Sequence, residues 1–162
     1  MVQTQESFSE KLAFGQEGEH IVGQILLDEG VTLLPLYQFQ DIEKAPLIYA
    51  GETKYAAPDL TCFKDGQGWF VEVKSKRRWV KFTGELETGL DQRKYDIYKQ
   101  VQETTGLPVY LCFRHIEEEP TGIYYAMLDS YTRYWDGKYK GKRKYEPEYF
   151  YNISVLNKKP PT

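Results

Sequence analysis

Apolar residues recur at helical spacing near the start of the chain, within FSEKLAFGQEGEHIVGQILLDEG. Gly30 suits a C-terminal stop, so the pattern predicts a helix from about Ser7 to Glu29. A strand is predicted over 31–39, where Pro35 indicates an edge or an irregularity. Residues 40–57 are then predicted to form a loop. The apolar positions that define the helix are Leu12, Phe14, Ile21, Val22, Ile25 and Leu26.

The middle of the chain predicts a β-hairpin followed by a second helix. PDLTCFK at 58–64 and WFVEVKS at 69–75 are β-rich runs that flank an Asp-Gly turn. The polar, Gly-containing stretch 77–89 is predicted to be a flexible loop, and 90–106 a helix that ends at Gly106. Strands follow at 107–113, 123–128 and within EYFYNISVL. This order of elements predicts an α/β fold with a mixed sheet.

Composition places the chain among ordinary globular proteins. Its 162 residues, 41% of them hydrophobic, are the size of one domain, and we expect 1–162 to form a single domain. No apolar run reaches the roughly 20 residues that span a bilayer, so no membrane association is expected. The N-terminus lacks the features of a secretory signal, which favours the cytoplasm. Cys62 and Cys112 stand apart in apolar runs and are better interpreted as buried free thiols than as a disulfide or a zinc site.

Charge is unevenly distributed along the chain. The net charge is −3, yet residues 1–60 hold 3 Lys/Arg against 10 Asp/Glu, and the remainder holds 18 against 14. KSKRR at 74–78 and KYKGKRK at 138–144 are locally basic. Such clusters can follow a phosphate backbone even when the whole chain is acidic, although a solvated surface explains them equally well.

The predicted hairpin allows a geometric test of which side chains share a face. If Asp65-Gly66 is a two-residue turn, Lys64 pairs with Gln67 and the numbers of paired residues sum to 131. Asp59 then faces Glu72, with about 5 Å between Cβ atoms. Lys74 lies two residues beyond Glu72 and projects from the same face. A four-residue loop would pair Asp59 with Lys74 on that face; only an odd-length loop would separate them.

Two carboxylates and an ammonium on one strand face predict a metal site. Two carboxylates so near each other repel, and burying them without a cation is costly. A hard divalent ion resolves both problems; Mg²⁺ is the expected ion, with Mn²⁺ as its substitute. Lys74 would stand beside the ion, able to orient or deprotonate a water for hydrolysis at phosphorus. The alternative is a surface salt bridge worth about 0–1 kcal/mol.

These residues resemble a known group of nucleases. Pro58-Asp59, thirteen residues before Glu72 in EVK, resembles the PD-(D/E)xK nuclease superfamily. FGQEGEHIVGQILLDEG at 14–30 is similar to the first helix of archaeal-type Holliday-junction resolvases, and EVKSK at 72–76 to their version of the motif. The segment between the first helix and Asp59 is longer than in compact resolvases, and the C-terminal third has no counterpart.

The resemblance implies a restriction-endonuclease-like mixed β-sheet flanked by helices. It makes Glu19 the fourth catalytic residue, so Glu19, Asp59 and Glu72 would hold the metal beside Lys74. Glu17 competes with Glu19 but lies on another face of the helix, where it would meet solvent. The resemblance further implies a homodimer acting on branched DNA and leaving a 5′-phosphate.

Several weaker candidates complete the predicted DNA-binding surface. Ser75 is a candidate for a phosphate contact but also fits a turn, and Gln92 is a candidate that fits a helix cap equally well. His20 and His115 are predicted to be solvated rather than metal ligands. Tyr139 and Tyr145 could stack on bases, but a flexible basic loop is the better interpretation. The basic candidates are Lys76, Arg77, Arg78, Lys140, Lys142, Arg143 and Lys144.

The sequence therefore predicts a Mg²⁺-dependent DNA endonuclease, structure-selective and resolving four-way junctions. Within the same enzyme class, a restriction-like or DNA-repair nuclease is the alternative. A different class, a DNA-binding module that has lost catalysis on a nuclease-like scaffold, is disfavoured because Glu19, Asp59, Glu72 and Lys74 are all present.

Overall fold

A computed structural model describes residues 8–35, 46–140 and 143–162. Two α-helices and twelve strands make up this part of the chain, and none of its helices is long and apolar enough to cross a membrane. Short 3-10 helices follow the eighth and twelfth strands, at Leu128–Ser130 and Ile153–Val155. In chain order the elements are α1 Phe8–Asp28, β1 Thr32–Pro35, β2 Leu47–Ala50, β3 Thr53–Ala56, β4 Leu60–Lys64, β5 Gln67–Lys76, β6 Glu87–Asp91, α2 Gln92–Thr105, β7 Val109–His115, β8 Gly122–Met127, β9 Arg133–Trp135, β10 Tyr139–Lys140, β11 Arg143–Lys144 and β12 Glu148–Asn152.

Five strands form a mixed central sheet in the order β1-β4-β5-β7-β8. The β5–β7 pair is parallel and is connected through α2, whereas the other neighbours are antiparallel. The architecture confirms the predicted α/β class with a mixed sheet flanked by helices. It places the ten-residue strand β5, which carries the EVK motif, at the centre of the sheet.

The β4–β5 hairpin has the predicted register. Asp65 and Gly66 have φ values of 51° and 77°, the positive values that both central residues of a type I′ turn require. Lys64 pairs with Gln67 and Leu60 with Val71, so the paired numbers sum to 131 as expected. Asp59, just before Leu60, is thereby fixed beside the Glu72 segment of β5.

The central sheet separates two apolar clusters. On one face, Val22 and Leu26 of α1 pack against alternate residues of β4 and β5, namely Leu60, Cys62, Trp69, Val71 and Val73. On the other face, α2 packs through Tyr95, Tyr98 and Val101 against Phe70, Leu111 and Phe113. Cys62 and Cys112 are buried free thiols, as predicted. The alternation along β5 sends Glu72 and Lys74 to the α2 side and the valines to the α1 side.

A second, three-stranded sheet in the order β6-β12-β9 packs beside α2. Its Leu90 and Tyr151 join the same cluster as α2, with 1% and 0% of their surfaces exposed. Asp91 ends β6 and caps α2 by accepting a hydrogen bond from the Lys94 backbone N–H. Gly106 ends α2 in the left-handed conformation. Tyr124, Tyr125 and Tyr151 are buried, and Tyr149 packs against the α2 cluster.

Three local predictions were wrong. The expected loop over 40–57 contains the β2–β3 hairpin, whose Ile48 and Tyr55 pack against the α2 cluster. The expected flexible loop over 77–89 buries Trp79 and pairs Val80 with Glu87, so β6 begins inside it. The basic segment after Trp135 forms the paired strands β10 and β11 rather than an unstructured loop. The part of the predicted 31–39 strand beyond Pro35 lies outside the described residues.

Two glycines with open space around them isolate the contribution of the turn. A Cβ at Gly66 or at Gly15 would meet nothing within 4 Å, but Gly66 has a φ of 77° while Gly15 lies in α1. We expect Gly66→Ala to lower the free energy of unfolding by about 1–2 kcal/mol because of backbone strain. Gly15→Ala should raise it by about 0.5–1 kcal/mol through helix propensity. Urea denaturation of both variants measures the difference, and equal effects would contradict a type I′ turn.

Candidate active site

The hairpin brings Asp59, Glu72 and Lys74 together at one end of the central sheet. Glu72 is 2% exposed, and its Oε1 atom lies 2.6 Å from the Lys74 Nζ atom. The Asp59 Oδ2 atom accepts a hydrogen bond of 2.7 Å from the Val73 backbone N–H. Because Val73 lies between Glu72 and Lys74, this bond ties the start of β4 to the EVK motif. The predicted grouping of the three residues is present.

Helix α1 adds Glu19 to the group. Glu19 lies three and seven residues before the fully buried Val22 and Leu26, which places it on the stripe that faces the sheet. The helix approaches β5 closely here, since a Cβ at Gly18 would lie 2.3 Å from the Ser75 Oγ atom. Glu17 points elsewhere: its side chain is 59% exposed and lies 3.0 Å from the Arg114 guanidinium. The geometry therefore places Glu19, not Glu17, towards the site.

Electrostatics shows that the carboxylates are close enough to repel. Burial, and then the charges of Glu72 and Glu19, raise the pKa of Asp59 well above its usual range; the Val73 N–H and Lys74 oppose this only in part. Burial and the Glu72 charge likewise raise the pKa of Glu19. Burial alone would lower the pKa of Lys74, but Glu72, Asp59 and Asp91 outweigh it and raise the pKa. One ammonium thus stands among several carboxylates.

Asp91 and Glu148, which sequence reasoning missed, extend the charged site from Lys76 towards the three-stranded sheet. Lys76 projects from the same face of β5 as Lys74, and burial together with the Lys74 charge lowers its pKa, against the pull of Glu148 and Asp91. Burial raises the pKa of Glu148, while Lys76 opposes that rise. Glu148 and Asp91 are paired across β12 and β6. Nothing local in the sequence links positions 91 and 148 to EVK; only the tertiary structure brings their charges near Lys76.

The three-stranded sheet holds a buried ion pair between Arg133 and Glu87. The Arg133 guanidinium donates to both carboxylate oxygens of Glu87, at 3.1 and 2.7 Å, and Glu87 is 3% exposed. The guanidinium also lies 4.2 Å from the centroid of the Phe150 ring. This bidentate pair links β6 to β9 across β12, and so fixes the sheet that carries Asp91 and Glu148.

The weaker DNA-binding candidates have different surroundings. Ser75 has a buried hydroxyl without a hydrogen-bond partner among the described residues, and Lys76 is half-buried. Arg77 and Arg78 are exposed, although Arg77 pairs with Glu117 and lies over the Phe14 ring.

Gln92 accepts a hydrogen bond from the Tyr134 hydroxyl at 3.1 Å, and Asp91 rather than Gln92 is the cap of α2. Lys144 is exposed and lies 3.8 Å from Glu146. The side chains of Lys140 and Arg143, and all of Lys142, lie outside the described residues.

The prediction that His115 is solvated was wrong, whereas His20 is exposed as expected. His115 is 1% exposed and stacks on Trp79, with ring centroids 3.6 Å apart and planes within 3°. Burial and the Lys76 charge lower its pKa to about 4. The parallel pairing of β5 with β7 puts His115 opposite Lys76, and Trp79 then covers the ring. The position of His115 directly after Arg114 gave no sign of this packing.

The carboxylate oxygens of the site suit a hard cation but do not point at one common position. Among the residues that the structure describes, no three Asp, Glu, His or Cys side chains surround one point as metal ligands would. The Lys74 ammonium takes the position beside Glu72 that a cation would occupy, and one Asp59 oxygen is held by the Val73 N–H. Carboxylate oxygens, whose repulsion here is only partly relieved, are the ligand type that divalent cations such as Mg²⁺ prefer.

Comparison with solved structures gives a similar fold. The Holliday junction resolvase Hjc of Archaeoglobus fulgidus, from an archaeal hyperthermophile, superposes with a TM-score of 0.53 at 13% sequence identity. The match covers 87% of this chain and 90% of that one. No protein-family model and no curated protein matches the sequence. The chain thus has the nuclease-like α/β fold of Hjc, and the motif resemblance to PD-(D/E)xK nucleases is consistent with that fold.

The crowded carboxylates predict a thermal response to Mg²⁺ that needs no DNA. Because folding raises the pKa of the Asp59 and Glu19 carboxyl groups, the fold loses stability as the pH rises from their usual pKa towards the raised one, so ionising these groups destabilises the fold. We expect Mg²⁺ to raise the Tm of the wild type. In chelator, Asp59→Asn should be more stable than wild type, by about 1–3 kcal/mol, and its Tm should not respond to Mg²⁺. Scanning calorimetry measures both effects.

The control is Glu52→Gln, which removes an exposed carboxylate from the β2–β3 turn. It should leave the response to Mg²⁺ unchanged. An equal response to Mg²⁺ in the wild type and in Asp59→Asn would contradict a metal site at Asp59.

Proposed function

We propose that this protein is a divalent-metal-dependent DNA endonuclease in which Glu19, Asp59 and Glu72 hold the metal ion and Lys74 assists the chemistry. The observation that carries the proposal is the grouping of these four side chains. They come from α1, the start of β4 and the middle of β5, and their charges act on one another at one end of the sheet. The Hjc-like fold supports the same activity.

Each residue has a task that its surroundings suit. Mg²⁺ bound there, or Mn²⁺ in its place, would supply Lewis-acid stabilisation of a phosphate oxygen and lower the pKa of a coordinated water. Asp59 keeps one oxygen for a ligand while the Val73 N–H fixes the other. Glu72 is held in place by burial, and Glu19 enters from the opposite side on a rigid helix. These three acceptors give the site its negative charge.

Lys74 is placed to serve the reacting groups. Its ammonium now balances Glu72, and a cation at the carboxylates would release it towards the phosphate or the attacking water. The charges of Asp91 and Glu148 act on Lys76, and that of Asp91 also acts on Lys74. Charged side chains therefore continue along this face of β5, where the scissile strand would lie. In this arrangement Lys74 orients a water and offsets charge on the phosphate, and hydrolysis leaves a 5′-phosphate.

DNA with branches is the substrate we propose. The structural neighbour is a resolvase, and the basic segments 74–78 and 138–144 supply positive charge in a chain that is acidic as a whole. A two-fold dimer would present two such sites to opposing strands. A single small domain has too little surface to hold a four-way junction alone, so we propose a homodimer.

Cleavage by charge-neutral variants tests the catalytic assignment. Asp59→Asn and Glu72→Gln should each reduce Mg²⁺-dependent nicking of labelled DNA by at least about 10³-fold because a metal ligand is lost. Circular dichroism should show both variants folded. Glu17→Gln is the matched control, because it removes an exposed carboxylate on the same helix as Glu19 and should retain activity. Substantial cleavage by either site variant would refute the ligand assignment, whereas a wild type that binds DNA but never cleaves it would leave a DNA-binding module.

Junction selectivity is tested separately from cleavage. In chelator, we expect a homodimer that binds a four-way junction at least about tenfold tighter than a duplex of equal length. With Mg²⁺ it should nick opposing strands symmetrically. Light scattering and gel-shift titration measure the first two properties. A monomer with equal affinity for both DNAs contradicts the junction assignment, and a restriction-like or repair nuclease then becomes the better interpretation.

A further inference from the structure

Three aromatic side chains form a row at the outer edge of the three-stranded sheet. The Phe82 and Trp135 ring centroids lie 6.2 Å apart with planes inclined by 48°, and those of Trp135 and Tyr145 lie 6.0 Å apart at 54°. We call these residues the aromatic row. Phe82 is 74% exposed, which is costly for a phenyl ring. Trp135 and Tyr145 are partly exposed, so the row keeps ring surface in solvent.

Strand pairing places this row beside the candidate active site. Trp135 pairs with Glu148 across β9 and β12, and Glu148 pairs with Asp91 across β12 and β6. Directly paired residues project from the same face of a sheet. The charges of Glu148 and Asp91 act on Lys76, and that of Asp91 also acts on Lys74. The aromatic row therefore lies on the face that carries the carboxylates next to the EVK motif.

The chain segment that contains Trp135 and Tyr145 is basic, in contrast to the chain as a whole. Residues 131–145 contain six Lys or Arg and one Asp, whereas the net charge of the protein is −3. Lys138 and Lys144, within this segment, are exposed. Positive charge interleaved with exposed rings is the combination that binds single-stranded nucleic acid, since every base offers a π-face and every phosphate a negative charge.

We propose that the aromatic row and the basic residues around it bind single-stranded DNA, with its unpaired bases stacked on Phe82 and Trp135. This inference rests on the proposed nuclease function only for the biological use of the aromatic row, which is to hold unpaired nucleotides beside the phosphate that is cut. Binding itself requires no metal and no cleavage. Charge complementarity favours this occupant over a second copy of the chain, because two copies would bring the same basic segment against itself.

The test compares two strands of equal charge, one with bases and one without. Fluorescence anisotropy in chelator gives the affinity for labelled oligothymidylate and for an abasic strand of the same length. The wild type should bind oligothymidylate roughly tenfold tighter or more. Phe82→Ala and Trp135→Ala should each remove most of that difference while leaving abasic-strand affinity unchanged. Trp135→Tyr, which keeps a ring, should restore most of it.

Tyr49→Ala is the matched control, because Tyr49 is also 74% exposed and lies on a different hairpin. It should change neither affinity. Phe82→Ala is the decisive variant, since so exposed a side chain contributes little to folding. Equal wild-type affinity for the two strands, or an equal loss in Tyr49→Ala, would overturn the proposal.

Light scattering without DNA separates the remaining outcome. Self-association that disappears in Phe82→Ala would assign the row to a contact between copies and overturn DNA stacking. The nuclease proposal fails or survives independently: a wild type that discriminates between the strands but never cleaves keeps the stacking surface and loses the catalytic assignment.

Discussion

The burial of the Glu72 carboxylate is the constraint on which the rest of the site depends. A nearly inaccessible carboxylate must be balanced, and the Lys74 ammonium at 2.6 Å is the nearest positive charge. That single ammonium also faces Asp59 and Asp91, and Glu19 adds a further negative charge nearby. The fold therefore keeps an excess of carboxylates at one end of its sheet. Such a site is poorly balanced by the protein alone, which makes a cation the natural complement.

Two covering elements hold this unfavourable arrangement in place. On one side, α1 approaches β5 so closely that Gly18 lies against Ser75, and its apolar stripe packs on the hairpin valines. On the other, the three-stranded sheet is anchored to the α2 cluster and fixed by the Arg133–Glu87 pair. Gly89 leaves room for the Glu148 side chain, since a Cβ at position 89 would lie 2.7 Å from a Glu148 carboxylate oxygen. Apolar packing around the site thus compensates for the charges within it.

The same sheet connects the candidate active site to the exposed aromatic row. Its inner face joins the apolar core, while its other face carries charged residues near β5 and, at the β9 edge, Trp135 of the aromatic row. A single structural unit therefore joins β5 to the aromatic row. This unit lies in the part of the chain for which the motif resemblance offered no counterpart, and it contributes the features that the EVK motif alone does not explain.

The sequence by itself determined the local geometry of the site. Asp65-Gly66 fixes a two-residue turn, the turn fixes the register, and strand alternation then places Asp59, Glu72 and Lys74 together; helical spacing likewise orients Glu19 but not Glu17. These relations are short-range and periodic. Only the tertiary structure decided that His115 is buried under Trp79, that Lys76 meets Glu148 and Asp91, and that Phe82 lies beside Trp135. Those contacts join residues far apart in the chain, and no local periodicity encodes which distant strands will pair.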